Sequence, residues 1–181
     1  MAYLITCSGS KKTPTTTRQS NLNNLYRDDI LRPYRNALIT QTGVALDWTK
    51  TLPAYELYTG DYSKIYRKIS IRNWQKPCVE IKILSALFGW IRHTDLIPHY
   101  DLKMDEKKGN LTKKPYVFWK DSGVLLDMIS NNDLDLLSDT YKKAFNVEIP
   151  ANIPNGFRYT DWGDCVGKWL ENELNNINCN G

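Results

Sequence analysis

The sequence predicts a single α/β domain, a central mixed sheet with helices on both faces and a loop-lined basic cleft. Two short segments rich in β-branched and apolar residues, Ala2–Cys7 (AYLITC) and Cys78–Leu84 (CVEIKIL), read as buried strands. Longer segments with helical spacing lie between and after them. The chain's 181 residues, 41% hydrophobic and 24% charged, suffice for one core, and no repeat or linker divides 1–181. No apolar run nears the roughly 20 residues of a membrane helix, so no membrane partner is expected. The N-terminus lacks the basic start and long apolar stretch of a signal peptide.

The elements follow in order. Ser8 to Asn24 is too polar for a core and reads as a long loop. Asp28–Thr42 reads as a helix capped by Asp28 and ended by Gly43, with Ile30, Tyr34, Leu38 and Gln41 on one face and Pro33 in an early turn. Thr51–Gly60 (TLPAYELYTG) reads as a loop. Asp61–Gln75 reads as an amphipathic helix, with Tyr62, Ile65, Tyr66 and Ile69 on one face. Lys64, Lys68 and Arg72 fall at i, i+4, i+8 on another, beside Arg67, as a solvated face or a phosphate-contacting stripe. Lys76–Pro77 stops it. After the second strand, Ser85–Ile91 turns through Gly89, and Leu102–Lys114 is a lysine-rich, mobile or hairpin-like loop. Lys114–Ser130 reads as a helix with Pro115 in its first turn. Leu134–Leu137 reads as a short strand, and Ser138 starts a short helix to Phe145. A loop follows over Asn152–Tyr159. Asp161 caps a last helix with Trp162, Val166, Trp169, Leu170 and Leu174 inward, and residues 175–181 fray.

Charge is uneven. Residues 1–120 carry 20 basic and 10 acidic side chains, a net of +10, whereas 121–181 carry a net of −6. Such asymmetry suits a polyanion or phosphate, or simply solvated helices. The four cysteines (Cys7, Cys78, Cys165, Cys179) lie far apart without C-x-x-C, which argues against a zinc site and a disulfide scaffold. A reduced, cytoplasmic setting is the default. With two histidines in the chain, His93 and His99, histidine-rich metal chemistry is not expected, and no metal ion and no cofactor is assigned.

Three constellations carry chemistry. CSGSKK (Cys7–Lys12) follows the first strand; its small residues and lysines suit a phosphate or carbonyl cradle, although Walker spacing is absent. Cys7 beside lysines is either a reactive thiol or packed and inert. PAYELYTG (Pro53–Gly60) frames Glu56 with Tyr55 and Tyr58, as a general base or a solvated loop carboxylate. ILSALFGWIRHTDLIPHYDLKM (Ile83–Met104) leads from a strand into Arg92, His93, Asp95, His99, Tyr100 and Asp101, where α/β folds gather their sites.

The stretch LSALFGWIRHTDLIPHYDLKM resembles the signature of the YaaA family of peroxide-stress proteins: a strand ending in a Leu-Ser-small-Leu-aromatic-Gly turn, then an arginine-led Asp, Ile and Pro-Tyr pattern. CSGSKK, PYVFW (Pro115–Trp119) and LDLLSDTYKKAF (Leu134–Phe145) resemble further family stretches in the same order, and PAYELYTG resembles a loop of small YaaA-like proteins. The chain departs from the pattern at His93, where proline is usual, at Trp90, in its shortness, and in an acidic C-terminal helix. The resemblance implies oxidative-stress protection and DNA binding in a positive cleft. The core also looks similar to the catalytic domain of archaeosine synthases, which share a Cys-Ser-x-x-Lys-type loop and act on a nucleobase.

Two functions follow as expectations. One is a nucleic-acid-binding protein of the stress-protection type, contacting DNA or a nucleotide through Cys7, Ser8, Ser10, Lys12, Tyr58, Lys64, Lys68, Arg72, Arg92 and Tyr100. The other is an enzyme on a nucleobase or nucleotide, with Glu56 and Asp95 as acid/base groups, Ser85 beside them and Lys11 holding an oxyanion or phosphate.

Overall fold

The structure, a computed structural model, describes residues 1–154 and 162–179. Its hub is β1 (Tyr3–Thr6), four buried residues that alternate apolar side chains to both faces. β3 (Ile81–Ser85) and β6 (Leu134–Leu136) run parallel to it on either side, and β4 (Gly89–Arg92) folds back antiparallel on β3, so the sheet order is β4-β3-β1-β6. A separate two-stranded sheet pairs β2 (Thr51–Pro53) with β5 (Leu96–Pro98). Both faces of the main sheet are covered. Tyr3 on one face meets Trp169 of the C-terminal helix edge-on, at 6.2 Å. On the other face the Lys82 ammonium donates to the Met128 carbonyl, and Trp90 Nε1 donates to the Leu125 carbonyl. The mixed α/β sheet fold read from sequence is present.

Several elements differ from the expected ones. The first helix, α1, spans Asp28–Thr42 and stops at Gly43 as expected. Its buried face, however, is Leu31, Arg35 and Leu38, and Ile30 is exposed. Asp28 is not the cap. It lies buried one position inside, paired with Arg35 at 3.1 Å and Arg32 at 2.6 Å. The fully buried Arg35 also donates to the carbonyls of Tyr26, Phe88 and Trp90, so a cation occupies a core position that a hydrophobic reading gives to leucine.

The helix expected over Asp61–Gln75 does not form. Instead α2 (Ala54–Leu57) precedes a turn, a 3-10 turn over Tyr66–Lys68, and α3 (Ile71–Trp74). Ile69 is extended, and the Ser70 side chain caps a new start by accepting from Asn73 N–H. Serine competing for backbone hydrogen bonds is the physical reason the periodicity misleads. Lys64, Lys68 and Arg72 therefore do not form a one-helix stripe. The segment Ser85–Ile91 is a β3–β4 hairpin, with Gly89 at φ +65° where Trp119 leaves almost no room for a Cβ. α4 is confined to Pro115–Ser122 and ends at Gly123; a 3-10 turn over Leu126–Met128 follows. α5 covers only Asp139–Lys142.

The last helix, α6, spans Trp162–Asn176. The Asp161 cap and the Trp162 side chain lie outside what is described. Val166, Leu170 and Leu174 are inward as read. The end of α6 is tied down: Glu171 accepts from Ser70 N–H and Asn73 Nδ2, and Lys76 Nζ donates to the carbonyls of Leu174 and Ile177. A disulfide joins Cys78 to Cys179, correcting the expectation of no disulfide staple. The two residues are 101 apart in sequence, and only the fold brings them together. No described helix is long and apolar enough to cross a membrane.

Candidate functional site

The parallel strands β3, β1 and β6 end side by side at Ser85, Thr6 and Leu136. Crevices beyond the carboxyl ends of such strands are where α/β folds place ligands. The loop Cys7–Lys12 leaves β1 there and is stitched to the segment after α2. Lys12 N–H donates to the Leu57 carbonyl at 2.8 Å, Ser10 Oγ accepts from Tyr62 N–H, and a Cβ at Gly60 would collide with Ser10. Cys7–Lys12 and Pro53–Gly60 thus meet, and from Ser85–Asp101 the side chains of Ser85 and Tyr100 join them, whereas Glu56 and Asp95 do not.

At their meeting point is a linked set of hydroxyls and a thiol. Ser85 Oγ accepts from Phe88 N–H and shares a hydrogen bond with Tyr100 OH at 2.8 Å; Tyr100 OH meets Tyr58 OH at 2.7 Å. Tyr100 OH also points at Cys7 Sγ from 4.0 Å, and Cys7 Sγ contacts Tyr141 OH at 2.9 Å. Tyr66 OH donates to the Thr6 carbonyl. Burial, reinforced by the Cys7 thiol, holds Tyr58, Tyr66, Tyr100 and Tyr141 well above the usual phenol range, so these hydroxyls stay protonated and can donate. The Lys11 ammonium sits 4.4 Å above the Tyr100 ring and 5.8 Å from that of Tyr58. Burial lowers its pKa below the ordinary lysine value, with Cys7 and Asp101 opposing the shift.

Two cavities open onto the same loop. One, of about 310 Å³, lies between Cys7–Gly9 and Met104, Ser138 and Tyr141. The other, of about 240 Å³, lies between Cys7–Gly9 and Lys64, Tyr66 and Gly163. Cys7, Ser8, Lys11, Tyr58, Ser85 and Tyr100 therefore converge, with Ser10 bracing the loop. Tyr141 and Tyr66 were not singled out from sequence as site residues. Tyr141 follows β6, and only knowing that β6 pairs with β1 would have placed it against Cys7.

Other candidates lie elsewhere. Glu56 and Lys12 face a third cavity, of about 580 Å³, with Arg67 and Trp74. Asp95 is buried and apart from the cluster, accepting from Tyr26 N–H at 2.8 Å and Arg92 N–H at 3.0 Å, with its carboxyl pKa raised by burial. It braces a turn. Arg92 is exposed and lies over the Tyr26 ring at 4.9 Å. Lys68 pairs with Asp164 at 3.6 Å, and Arg72 is exposed on α3. The lysine-rich loop is largely self-neutralised: Lys103 pairs with Glu106, Lys108 with Asp101, and Lys113 with Asp121. Among the described residues, no group of three or more His, Cys, Asp or Glu is placed to hold a metal ion.

A family model described as peroxide stress protein YaaA matches residues 16–155. The chain belongs to the YaaA peroxide-stress family. The match covers Tyr58, Ser85, Tyr100 and Tyr141 and begins after the Cys7–Lys12 loop. Curated relatives carry the name UPF0246 protein. One from Tolumonas auensis is 32% identical over 108 residues, 53% of this chain and 40% of its own length. One from Corynebacterium glutamicum is 33% identical over 126 residues, 63% of this chain and 50% of its own length. The chain thus spans half or less of the curated relatives it matches.

Proposed function

We propose that this YaaA-family chain binds nucleic acid or a nucleotide in the cleft at the carboxyl end of β1. The observation that carries this reading is the half-buried Lys11 ammonium, held over Tyr100 on the same loop whose Cys7–Gly9 stretch lines two cavities. A fixed cation in a partly dried cleft attracts phosphate more strongly than one in bulk water. Small residues at Ser8 and Gly9 let a ligand approach the backbone closely, and Lys103, paired with Glu106, and Lys64 each line one of the two cavities.

The test is anisotropy of labelled single- and double-stranded DNA, with mononucleotides as competitors, on the wild type and Lys11→Met. Binding should be salt-dependent, with a log–log slope near −3 to −4 if about four phosphates are engaged. Lys11→Met should weaken it by roughly tenfold or more. Binding unchanged in Lys11→Met, or absent at low salt for every nucleic acid and nucleotide tried, defeats the reading.

A second reading, an enzyme acting on a nucleobase, draws on the Cys7–Tyr141 contact and the Ser85–Tyr100–Tyr58 chain, which together supply a nucleophile and linked proton donors. Mass spectrometry of nucleosides incubated with wild type and Cys7→Ser tests it. A mass change made by the wild type and lost in the variant supports turnover.

A further inference from the structure

The third cavity is built differently from the cleft beside Cys7. Lys12 N–H binds the Leu57 carbonyl, and this seam divides two neighbouring lysines: Lys11 lies over Tyr58 and Tyr100, while Lys12 lines the third cavity. The third cavity is also the larger, about 580 Å³ against about 310 and about 240 Å³. That volume falls within the range of small-molecule sites, roughly 300–1,000 Å³.

Its walls carry charges of both signs that the fold does not use. Among the described residues, neither Lys12 nor Glu56 has an ion-pair or side-chain hydrogen-bond partner. Arg67 commits one N–H to the Asp61 carbonyl at 2.7 Å and keeps its other donors. Aromatic side chains line the same cavity: Trp74 is stacked with both Tyr55 and Tyr66, each at 5.5 Å. Ile71, exposed at the rim, and Ile69 add apolar wall. These three rings are buried and already stacked on one another, so a ligand meets what little of them is exposed, where ring edges with positive rims favour electron-rich atoms.

A ligand satisfying both kinds of charge needs an anionic group for Lys12 and Arg67 and an N–H donor for Glu56, joined by a flat or apolar body. We propose that this cavity is a second ligand site, separate from the Cys7 cleft, which takes a nucleotide whose base carries an exocyclic amino group. The phosphate lies against Lys12 and Arg67, and the amino group donates to the Glu56 carboxylate. The nucleotide class rests on the reading of the preceding subsection; the pairing of anion and donor rests on the cavity alone.

Calorimetric titration of the full chain with AMP, and with purine riboside 5′-monophosphate (AMP without its amino group), tests this. Wild type should prefer AMP by roughly tenfold or more, as a hydrogen bond to a charged group permits. Glu56→Ala should bring the two ligands to equal affinity. Lys12→Met should weaken both together, and Lys11→Met should leave the preference for AMP intact. Lys12 is exposed and Glu56 half-exposed, so these variants should fold, as circular dichroism and melting will show.

Equal affinity of the two nucleotides for wild type, or a preference that survives Glu56→Ala, overturns the proposal. AMP binding lost in Lys11→Met but untouched in Lys12→Met and Glu56→Ala moves the ligand to the Cys7 cleft; it keeps the proposed function and removes the second site. If neither nucleotide binds while DNA does, this site falls alone. If nothing binds, both fall.

Discussion

At the scale of single residues, Lys11 and His93 give the clearest pH signatures. Burial lowers the Lys11 pKa, so its ammonium loses its proton before a lysine in water, with pKa about 10.4, would. Anion affinity in the cleft should therefore decline on the alkaline side earlier than ordinary lysines allow, and Lys11→Met should lack that decline. Binding measured across the alkaline range on both proteins checks this. His93 is buried, with Nε2 at 3.0 Å from the Trp74 carbonyl and Nδ1 at 3.3 Å from that of Ile81; burial lowers its pKa from 6.5. As pH falls, the unfolded chain takes up this proton first, so His93 costs stability as pH drops through about 6.5 and has no effect well above it. His99 shifts in the same direction, so the two must be separated. His93→Gln, which cannot titrate there, should lose less melting temperature than wild type between about pH 7.5 and about pH 5.5. Equal losses would clear His93.

At the scale of elements, the β3–β4 hairpin is held from outside. Its carbonyls at Ala86, Phe88 and Trp90 are taken by Trp119 Nε1 and Arg35, and Ser85 Oγ accepts from Phe88 N–H. The hairpin delivers Ser85 to the cleft, so Arg35 links the fold of α1 to the site. Arg35→Met should leave the buried carbonyls of Phe88 and Trp90 and the half-buried one of Tyr26 short of donors and Asp28 short of its buried partner. Losing one partner of a buried pair typically costs about 3–5 kcal/mol. Chemical denaturation should show that loss, and a cost below about 1 kcal/mol would mean water or Arg32 replaces the guanidinium. This role was not legible in advance. The spacing of α1 marks a helix over its full observed length, yet hydropathy assigns the inward face to Ile30 and Tyr34, because no scale expects arginine at the centre. Strands β1 and β3 were legible, β1 as a buried apolar run and β3 by the alternation of CVEIKIL, and the short β6 was read at Leu134–Leu137. The Asp61–Gln75 error has the opposite cause: its apolar residues do turn inward, but on two short pieces broken at Ser70. Cys7, Lys11, Tyr58, Ser85 and Tyr100 were legible as separate motifs. Their division from Glu56 and Asp95 was not: Glu56 lies with Lys12 across the Lys12–Leu57 seam, and Asp95 is held away by the Tyr26 and Arg92 N–H groups.

At the scale of the whole molecule, α6 and the disulfide close the domain. α6 crosses the 3-10 turn at Tyr66–Lys68, where Gly167 admits Lys68 and Gly163 admits Lys64 closely, and Gly163 forms part of the cavity wall beside Cys7. Cys78–Cys179 then fastens the segment after α6 to the chain leading into β3. A cross-link between residues 101 apart removes much conformational freedom from the unfolded chain, and such bonds typically contribute about 2–4 kcal/mol. For a chain of this size each kcal/mol shifts the melting midpoint by about 2–4 °C. Reduction, or Cys179→Ser, should therefore lower it by roughly 4–16 °C, the two together no further than either alone. The Lys76 bonds to the Leu174 and Ile177 carbonyls and the Glu171 bonds to Ser70 and Asn73 remain, so α6 should stay docked rather than detach. Hydrogen exchange on the reduced protein separates the outcomes. Loss of protection confined to the last turn of α6 fits a clasp over an independently packed helix. Loss along all of α6 and at Tyr66–Lys68 would mean the disulfide, and not Val166, Leu170 and Leu174, holds the wall of the cavity beside Cys7. Ligand affinity in that cleft would then fall on reduction, whereas the clasp predicts it unchanged.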